Sequence, residues 1–164
     1  MIRAESLSLF KEGLLKELAG IFPEMQILDG FRKEQVYKAV EQPFLAMNIQ
    51  KIFARSDSCS DYWGTAVQED GSTEVYGRLA EVTFRFQFGL PAFSCLSETT
   101  LFLRLCNYLL GQPDYDFSEI LCGEVEFSQA MQCFVLTASA KTKIILTRQE
   151  IFQPIRDIVV QTKK

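Results

Sequence analysis

The sequence contains no histidine. This absence removes Ser-His-Asp and Cys-His catalytic arrangements, the H-E-x-x-H zinc site and the commonest general base of enzymes. The glycine-rich motifs of nucleotide-binding loops and the G-x-S-x-G nucleophile turn are also missing from the 164 residues. We therefore expect a protein that is not an enzyme, with no catalytic, cofactor-binding or metal site. Catalysis by Asp, Glu, Lys, Tyr or Cys stays open as an alternative.

Cysteine pairs are lacking as well. The five cysteines form no C-x-x-C pair, and an odd number cannot all pair within one chain: Cys59, Cys95, Cys106, Cys122 and Cys133. Free cysteine is mostly a small buried apolar residue, which is the interpretation we give to most of these. A reactive thiol at Cys59, in a polar segment, is the alternative.

Excess positive charge and long apolar runs are absent too. The net charge is −4, from 17 basic and 21 acidic residues, which argues against a nucleic-acid-binding protein. No window reaches 18 uninterrupted apolar residues, and the N-terminus lacks the apolar core of a signal peptide. We expect a cytoplasmic protein with no membrane partner. Its length fits a single domain over residues 1–164.

Residues 81–90, E-V-T-F-R-F-Q-F-G-L, show a strict two-residue alternation. Apolar side chains occupy one phase of this run and Glu81, Thr83, Arg85 and Gln87 occupy the other, which predicts a half-buried β-strand. The three phenylalanines Phe84, Phe86 and Phe88 are expected to face the core. The Thr83 side is expected to face solvent or a partner.

Two helices are predicted from apolar repeats at spacings of three and four residues. The first covers residues 6–20 with Ser6 as N-cap, and the second covers 98–110 with Ser97 as N-cap and Gly111 as its stop. The leucines of the second helix form a wide apolar face that should lie across the sheet. Arg104 at its edge is interpreted as a solvated charge.

Further strands are predicted on both sides of this region. Residues 22–28 predict a short strand and 44–54 a longer one, in which Leu45, Met47 and Ile49 share one phase and Phe53 returns to it. Residues 114–121 are interpreted as a connector, and 123–128 as a strand that forms a hairpin with residues 131–146, in one bent strand or two. Residues 147–164 are interpreted as a C-terminal tail.

Residues 55–77 form a long polar segment with a strong turn pair, Asp70-Gly71. We predict a protruding hairpin with arms at 62–67 and 72–76, or a mobile loop, because long polar segments are often binding elements. Trp63 is the only tryptophan of the chain, and it is either an anchor on the edge of the sheet or an interface residue. The candidate interface residues of the whole chain are Tyr62, Trp63, Asp70, Gly71, Thr83, Arg85 and Gln87.

These elements together predict an α+β fold, with a mixed, largely antiparallel sheet of four to five strands and two main helices packed on one face. Four segments in this order are L-A-G-I-F-P-E-M-Q-I-L, P-F-L-A-M-N-I-Q, L-A-E-V-T-F-R-F-Q-F and E-T-T-L-F-L-R-L-C-N-Y-L-L, followed by a closing hairpin. In pattern and order of elements, the chain resembles the tail-terminator (tail-completion) proteins of long-tailed phages and prophages, over residues 6–146.

The resemblance implies a structural protein that forms a ring, usually hexameric, at the end of the tail tube and mediates head-tail joining. It implies the partners, which are other copies of the chain, the tail tube and neck proteins, and a location in the bacterial cytoplasm or the virion. It transfers no catalytic residue. The alternative is a small α+β ligand-binding domain or enzyme, with a pocket lined by the Phe-rich strand and Cys95, Cys106 and Cys133.

Overall fold

The computed structural model describes residues 2–3, 7–30, 39–54, 62–68, 71–112 and 116–151. These residues form two helices and seven strands, in the order β1 (Ile2–Arg3), α1 (Leu7–Ile21), β2 (Gln26–Asp29), β3 (Phe44–Ala54), β4 (Tyr62–Gln68), β5 (Gly71–Pro91), α2 (Glu98–Gly111), β6 (Phe117–Ser128) and β7 (Cys133–Ile151).

The seven strands make one sheet that is five strands wide. Strands β5 and β7 form its centre and pair antiparallel along the whole of β7. The edge of β5 that faces away from β7 pairs with β3 near one end and with β4 near the other. The edge of β7 that faces away from β5 pairs with β6 over part of its length and with β1 over another part. Strand β2 pairs with the outer edge of β3. Only the β1–β7 and β2–β3 pairings, among those described, are parallel. The predicted α+β fold with a mixed, largely antiparallel sheet is therefore confirmed.

Both helices pack on one face of this sheet. Their buried residues share a single apolar cluster with alternate residues of the central strands: Leu14, Leu18, Leu101, Leu105, Leu109, Val82, Phe84, Phe86, Phe88, Leu136, Ala138, Ala140 and Ile144. The three phenylalanines of β5 are fully buried. The alternation of residues 81–90 thus predicted the core face of β5 correctly, because a β-strand directs successive side chains to opposite sides.

Polar contacts fasten the helices at their edges. Arg104 of α2 forms an ion pair with Glu24, just after α1, and its guanidinium lies 5.4 Å from the centre of the Phe22 ring. Tyr108 of α2 donates a hydrogen bond to Glu17 of α1. The Arg104 side chain is 40% exposed, as expected for a solvated charge at the edge of α2, but the turn after α1 also brings a carboxylate and an aromatic ring against it, which was not predicted.

A β-bulge in β3 overturns one phase assignment. Ile49 opposes Phe84 on the core face, but the register shifts after it, so that Lys51 opposes Thr83 and Phe53 opposes Glu81. Phe53 therefore lies on the face opposite the helices, where the Lys51 ammonium is 5.1 Å from its ring centre. The prediction that Phe53 returns to the phase of Leu45 was wrong because one extra residue reverses the alternation.

Several element bounds differ from those predicted. The supposed connector 114–121 contributes its residues 117–121 to β6, and residues 133–146 belong to one continuous strand that runs on to Ile151. The first five residues of the predicted tail, 147–151, are thus part of β7. The short strand predicted at 22–28 starts later and ends one residue further on, at Gln26–Asp29, because Phe22 is buried in the core and a turn follows it. The predicted N-cap Ser6 and residues 55–61 and 152–164 lie outside the described residues.

Helix α2 starts at the predicted residue, but the predicted side-chain cap is not formed. Ser97 is the N-cap residue and has extended backbone angles, yet its side chain makes no capping hydrogen bond. The backbone carbonyl of Ser97 accepts the hydrogen bond from the N–H of Leu101, at 3.0 Å. Glu98 in the first turn supplies the favourable charge at this helix end.

Strand β5 is far longer than either helix. Its 21 residues correspond to about 69 Å at 3.3 Å per residue, whereas α1 and α2, with 15 and 14 residues, are about 22 Å and 21 Å long. The helices therefore cannot cover β5 along its length. Beyond Ala80, the last buried apolar residue described towards the start of β5, the strand continues through residues 71–79, flanked by β4 and by residues 145–151 of β7. We call this three-stranded segment the ribbon.

Candidate binding groove

The face of the sheet opposite the helices carries the polar phase of β5. Thr83, Arg85 and Gln87 lie there and are half-buried. In the register of the sheet, Arg85 stands between Asn48 of β3 and Ser139 of β7. Three of the predicted interface residues are therefore placed together, in the middle of a row of polar side chains.

One end of this face is closed by a second, smaller apolar cluster. It is formed by Phe44, Ala46, Met131 and Cys133, with Val40 packed against it. The backbone N–H of Val40 donates a hydrogen bond to the carbonyl of Met131, at 2.9 Å, which holds the segment before β3 against the β6–β7 turn. The polar side chains of this face therefore lie at the centre of the sheet and at the end away from the cluster.

A groove of about 430 Å³ crosses the centre of the face and is open to solvent. It runs over four neighbouring strands and is lined by Gln50, Arg85, Leu121, Cys122, Gly123, Thr137, Ala138 and Ser139. Two bulges border it, one in β3 between Ile49 and Lys51 and one in β6 between Cys122 and Val125. Bulges commonly redirect side chains beside functional sites. Here the β3 bulge places Gln50, its extra residue, on the wall of the groove.

Arg85 is the charged residue of this lining. Its Nε atom is buried and has no hydrogen-bond partner, and the side chain makes no ion pair with any described residue. A guanidinium stays protonated at all ordinary pH values and carries five N–H donors. Since this positive charge lines the groove and has no counterion among the described residues, an anionic acceptor in the groove would be stabilising.

The neighbouring charges of this face are arranged differently, since each described lysine of β7 here has an acidic neighbour. The Lys141 ammonium donates a hydrogen bond to Glu119 Oε2 at 2.7 Å. This hydrogen bond, the negative charge of Glu119 and the more distant charge of Glu81 raise the pKa of Lys141 above its ordinary value. Lys143 stands directly opposite Glu81 in the register. In the register, Arg85 thus has no carboxylate opposite it, whereas Lys141 and Lys143 each do.

Three thiols near the sheet have pKa values above that of a free cysteine. Burial raises the pKa of Cys122 and of Cys133, and burial together with the neighbouring Cys122 raises the pKa of Cys106. Cys106 faces β6 from α2, whereas Cys133 belongs to the apolar cluster on the other side of the sheet. The pocket predicted from Cys95, Cys106, Cys133 and the Phe-rich strand is therefore not formed by these residues, because the sheet separates Cys133 from the phenylalanines. Cys59 lies outside the described residues.

The remaining predicted interface residues lie elsewhere. Tyr62 and Trp63 are on β4, where Tyr62 pairs with Tyr76 and Trp63 lies at a register shift. Gly71 is the first residue of β5, and Asp70 lies outside the described residues. The predicted hairpin arms are confirmed by this pairing. Gly71 and Arg85 are fourteen positions apart on one strand, about 46 Å, so the six described candidates fall into two separate groups.

Sequence reasoning missed the other half of the groove. Gln50, Thr137 and Ser139 were not selected, although the alternation in T-A-S-A-K-T-K places Thr137 and Ser139 in the phase opposite the small core residues. This alternation predicts the phase of Thr137 and Ser139 if residues 133–146 form one strand, as they do in β7. The bulge that orients Gln50 has no such signal.

Compared with known proteins, the chain matches no family model, and its sequence has no significant match among curated proteins. Within the described part of the chain, neither helix has the length and apolarity needed to cross a membrane. The same residues contain no cluster of three or more Cys, Asp or Glu side chains placed to hold a metal ion.

Proposed function

We propose that this chain is a structural protein of a phage or prophage tail, a tail terminator or completion protein that forms a ring at the end of the tail tube and mediates head-tail joining. The observation that carries the proposal is the ribbon, a three-stranded extension beyond the helix-covered body. The agreement between the α+β fold and the one implied by the resemblance supports it further.

The ribbon offers two strand edges for contacts between subunits. Within the described residues, β4 pairs with β5 alone, and residues 146–151 of β7 also pair with β5 alone. Unpaired strand edges expose rows of N–H and C=O groups that readily pair with another chain. A ring with head-to-tail contacts would join one edge of each subunit to its neighbour, and closure of the ring would leave no edge free.

The first test is the state of assembly. Light scattering after gel filtration at several concentrations, together with negative-stain electron microscopy, should show a ring of several copies, with six as the expected number. A variant that lacks residues 66–73, with Thr65 joined to Glu74 through an Asn-Gly turn, keeps the register because these two residues are partners in the hairpin. It should remain monomeric with an intact body.

A matched control separates loss of contacts from general damage. Leu110→Ser changes an exposed residue, 66% accessible, on α2 and outside the ribbon, so rings should still form. Rings that persist in the shortened-hairpin variant would contradict a role of the hairpin end, residues 66–73, in the contacts between subunits.

A genetic test addresses the tail itself. The gene is expected to lie among genes for tail proteins, and its deletion should yield heads and tails that fail to join, or tails of abnormal length. Normal particles from a deletion strain would refute the proposal. The partners in this role are other copies of the chain, the tail tube and neck proteins, in the bacterial cytoplasm or the virion.

The second candidate function is a small ligand-binding α+β domain. The groove around Arg85 is the observation that favours it. Saturable binding of a small organic molecule by a monomer, without assembly at any concentration, would support this alternative over the tail proposal.

A further inference from the structure

We propose that the groove around Arg85 receives a carboxylate, presented by an Asp or Glu side chain of a partner protein. The inference rests on the groove and its charges alone, so it stands or falls separately from the role in a phage tail.

The donor that calls for an acceptor is the Arg85 guanidinium. Its side chain lines the groove and makes no ion pair with a described residue, and its buried Nε–H has no hydrogen-bond partner within the described protein. Guanidinium and carboxylate are planar groups that form two parallel hydrogen bonds, and such charge-assisted bonds are about twice as strong as neutral ones. Gln50, Thr137 and Ser139 add an amide and two hydroxyls to the same lining. A carboxylate would therefore meet a cation and further polar groups together.

The charge balance favours a carboxylate over a phosphate. The groove is lined by one cation, and the nearby ammonium group of Lys141 is bonded to Glu119. The other titratable groups on this face or next to the groove include Lys51, which lies over Phe53, and four exposed residues: Glu81, Glu124, Glu126 and Lys143. A single free cation matches one negative charge, whereas a phosphate dianion would be left half neutralised on a protein of net charge −4.

The shape of the groove favours a protein side chain over a free metabolite. Small-molecule sites usually enclose most of their ligand, but this groove is open along a sheet face. Leu121 at its margin is 54% exposed, so an apolar residue borders the charged centre. A surface of apolar and polar residues around one half-buried arginine is typical of protein interfaces, where arginine is enriched among the strongly contributing residues.

The test follows the arginine Nε–H resonances of the protein during titration with capped glutamate, N-acetyl-glutamate amide, at constant ionic strength. The neutral isostere N-acetyl-glutamine amide is the matched probe. The Arg85 resonance should move downfield and saturate with the glutamate probe and should not move with the glutamine probe. Arg104, which is already paired with Glu24, is the internal reference and should stay in place.

Variants assign the effect to Arg85. Arg85→Gln should abolish the saturable shifts of neighbouring amides such as that of Ser139, and Arg85→Lys should weaken binding because it loses the two-pronged geometry. Arg104→Gln should bind the probe as the unaltered protein does. Equal responses to the two capped probes would overturn the proposal. So would stronger binding of inorganic phosphate, or much tighter binding of free succinate, which would indicate a small-molecule site.

Discussion

Phe86 has no exposed surface, whereas Phe93, a few residues further along the chain, is 76% exposed. The first belongs to the cluster beneath the helices and the second lies in the turn after β5. The same side chain therefore contributes very differently to stability at the two positions, since hydrophobic stabilisation scales with the apolar area removed from water.

Replacement of Phe86 by alanine should lower the free energy of unfolding by about 3–5 kcal/mol, because it leaves a cavity in a closed core. The matched change Phe93→Ala should stay within about 0.5 kcal/mol, as surface substitutions usually do. Denaturant unfolding of both variants measures the difference. A near-neutral result for Phe86→Ala would contradict the assignment of the core face.

Gly89 and Gly13 provide a pair of glycine substitutions with opposite expected signs. A Cβ at Gly89 would overlap the ring of Phe44, whereas nothing lies within 4 Å of a Cβ at Gly13 in α1. Gly89→Ala should destabilise by about 1–3 kcal/mol through overpacking. Gly13→Ala should stabilise by about 0.5–1 kcal/mol through helix propensity. Equal melting temperatures for the two variants would show that the Phe44 ring does not rest on Gly89.

The Lys141–Glu119 pair predicts a dependence on alkaline pH. The folded protein holds the pKa of Lys141 above its ordinary value of about 10.4, so the pair contributes stability below that pH and loses it as pH rises through the raised pKa. Glu119→Gln should therefore be less stable than the unaltered protein near neutral pH, with a difference that vanishes at strongly alkaline pH. Urea unfolding across this range measures it.

The control for this pair is Glu126→Gln on the same strand. Glu126 is exposed and makes no ion pair with a described residue, so its replacement should produce no difference that disappears at alkaline pH. Since the Lys141–Glu119 pair is partly exposed, high salt should also reduce its effect. A pH-independent difference for Glu119→Gln would indicate a contact other than the ion pair.

At the scale of elements, strand β5 runs from the ribbon into the part of the sheet that is covered by the helices. Its second half has helices on one side and paired strands on both edges, and its first half belongs to the ribbon. Local opening depends on how much buried apolar surface must be exposed. The same strand should therefore differ in stability along its length.

Hydrogen exchange should reveal this gradient. Amides of residues 82–88 should exchange most slowly, at rates close to those of global unfolding, and amides of 72–76 should exchange faster through local opening of the ribbon. Mass spectrometry of peptides from β5 resolves the two parts. If ring assembly covers the ribbon edges, protection of 72–76 should rise with protein concentration. Uniform protection in the monomer would contradict a thinner ribbon.

Strand β3 shows where prediction by pattern ends. Its bounds, Phe44–Ala54, agree with those predicted, and so does the phase of its first half. The phase of Lys51 and Phe53 could not be predicted, because a bulge depends on the pairing with β5, and the alternation of one strand does not contain the partner's register.

For the molecule as a whole, the order of strands places residues from distant parts of the chain around one groove. Gln50, Arg85, Leu121 and Ser139 come from four strands that are neighbours in the sheet. The groove and the ribbon are well separated along β5. A protein with both could bind its own copies through the ribbon and an acidic partner through the groove, and the two sets of variants above test these contacts independently.

The amino-acid sequence by itself determined the α+β class, the two helices, the bounds of β3 and the core face of residues 81–90. These are local properties, because apolar spacing and turn residues act within a few positions of one another. Tertiary structure alone decided where the alternation of β3 is reversed, at Gln50, and how far β7 continues. It also decided that Arg104 pairs with Glu24 and that Arg85 lines one groove together with Thr137 and Ser139. Each of these depends on contacts between segments far apart in the chain, which become neighbours only when the whole sheet buries its apolar face against the helices.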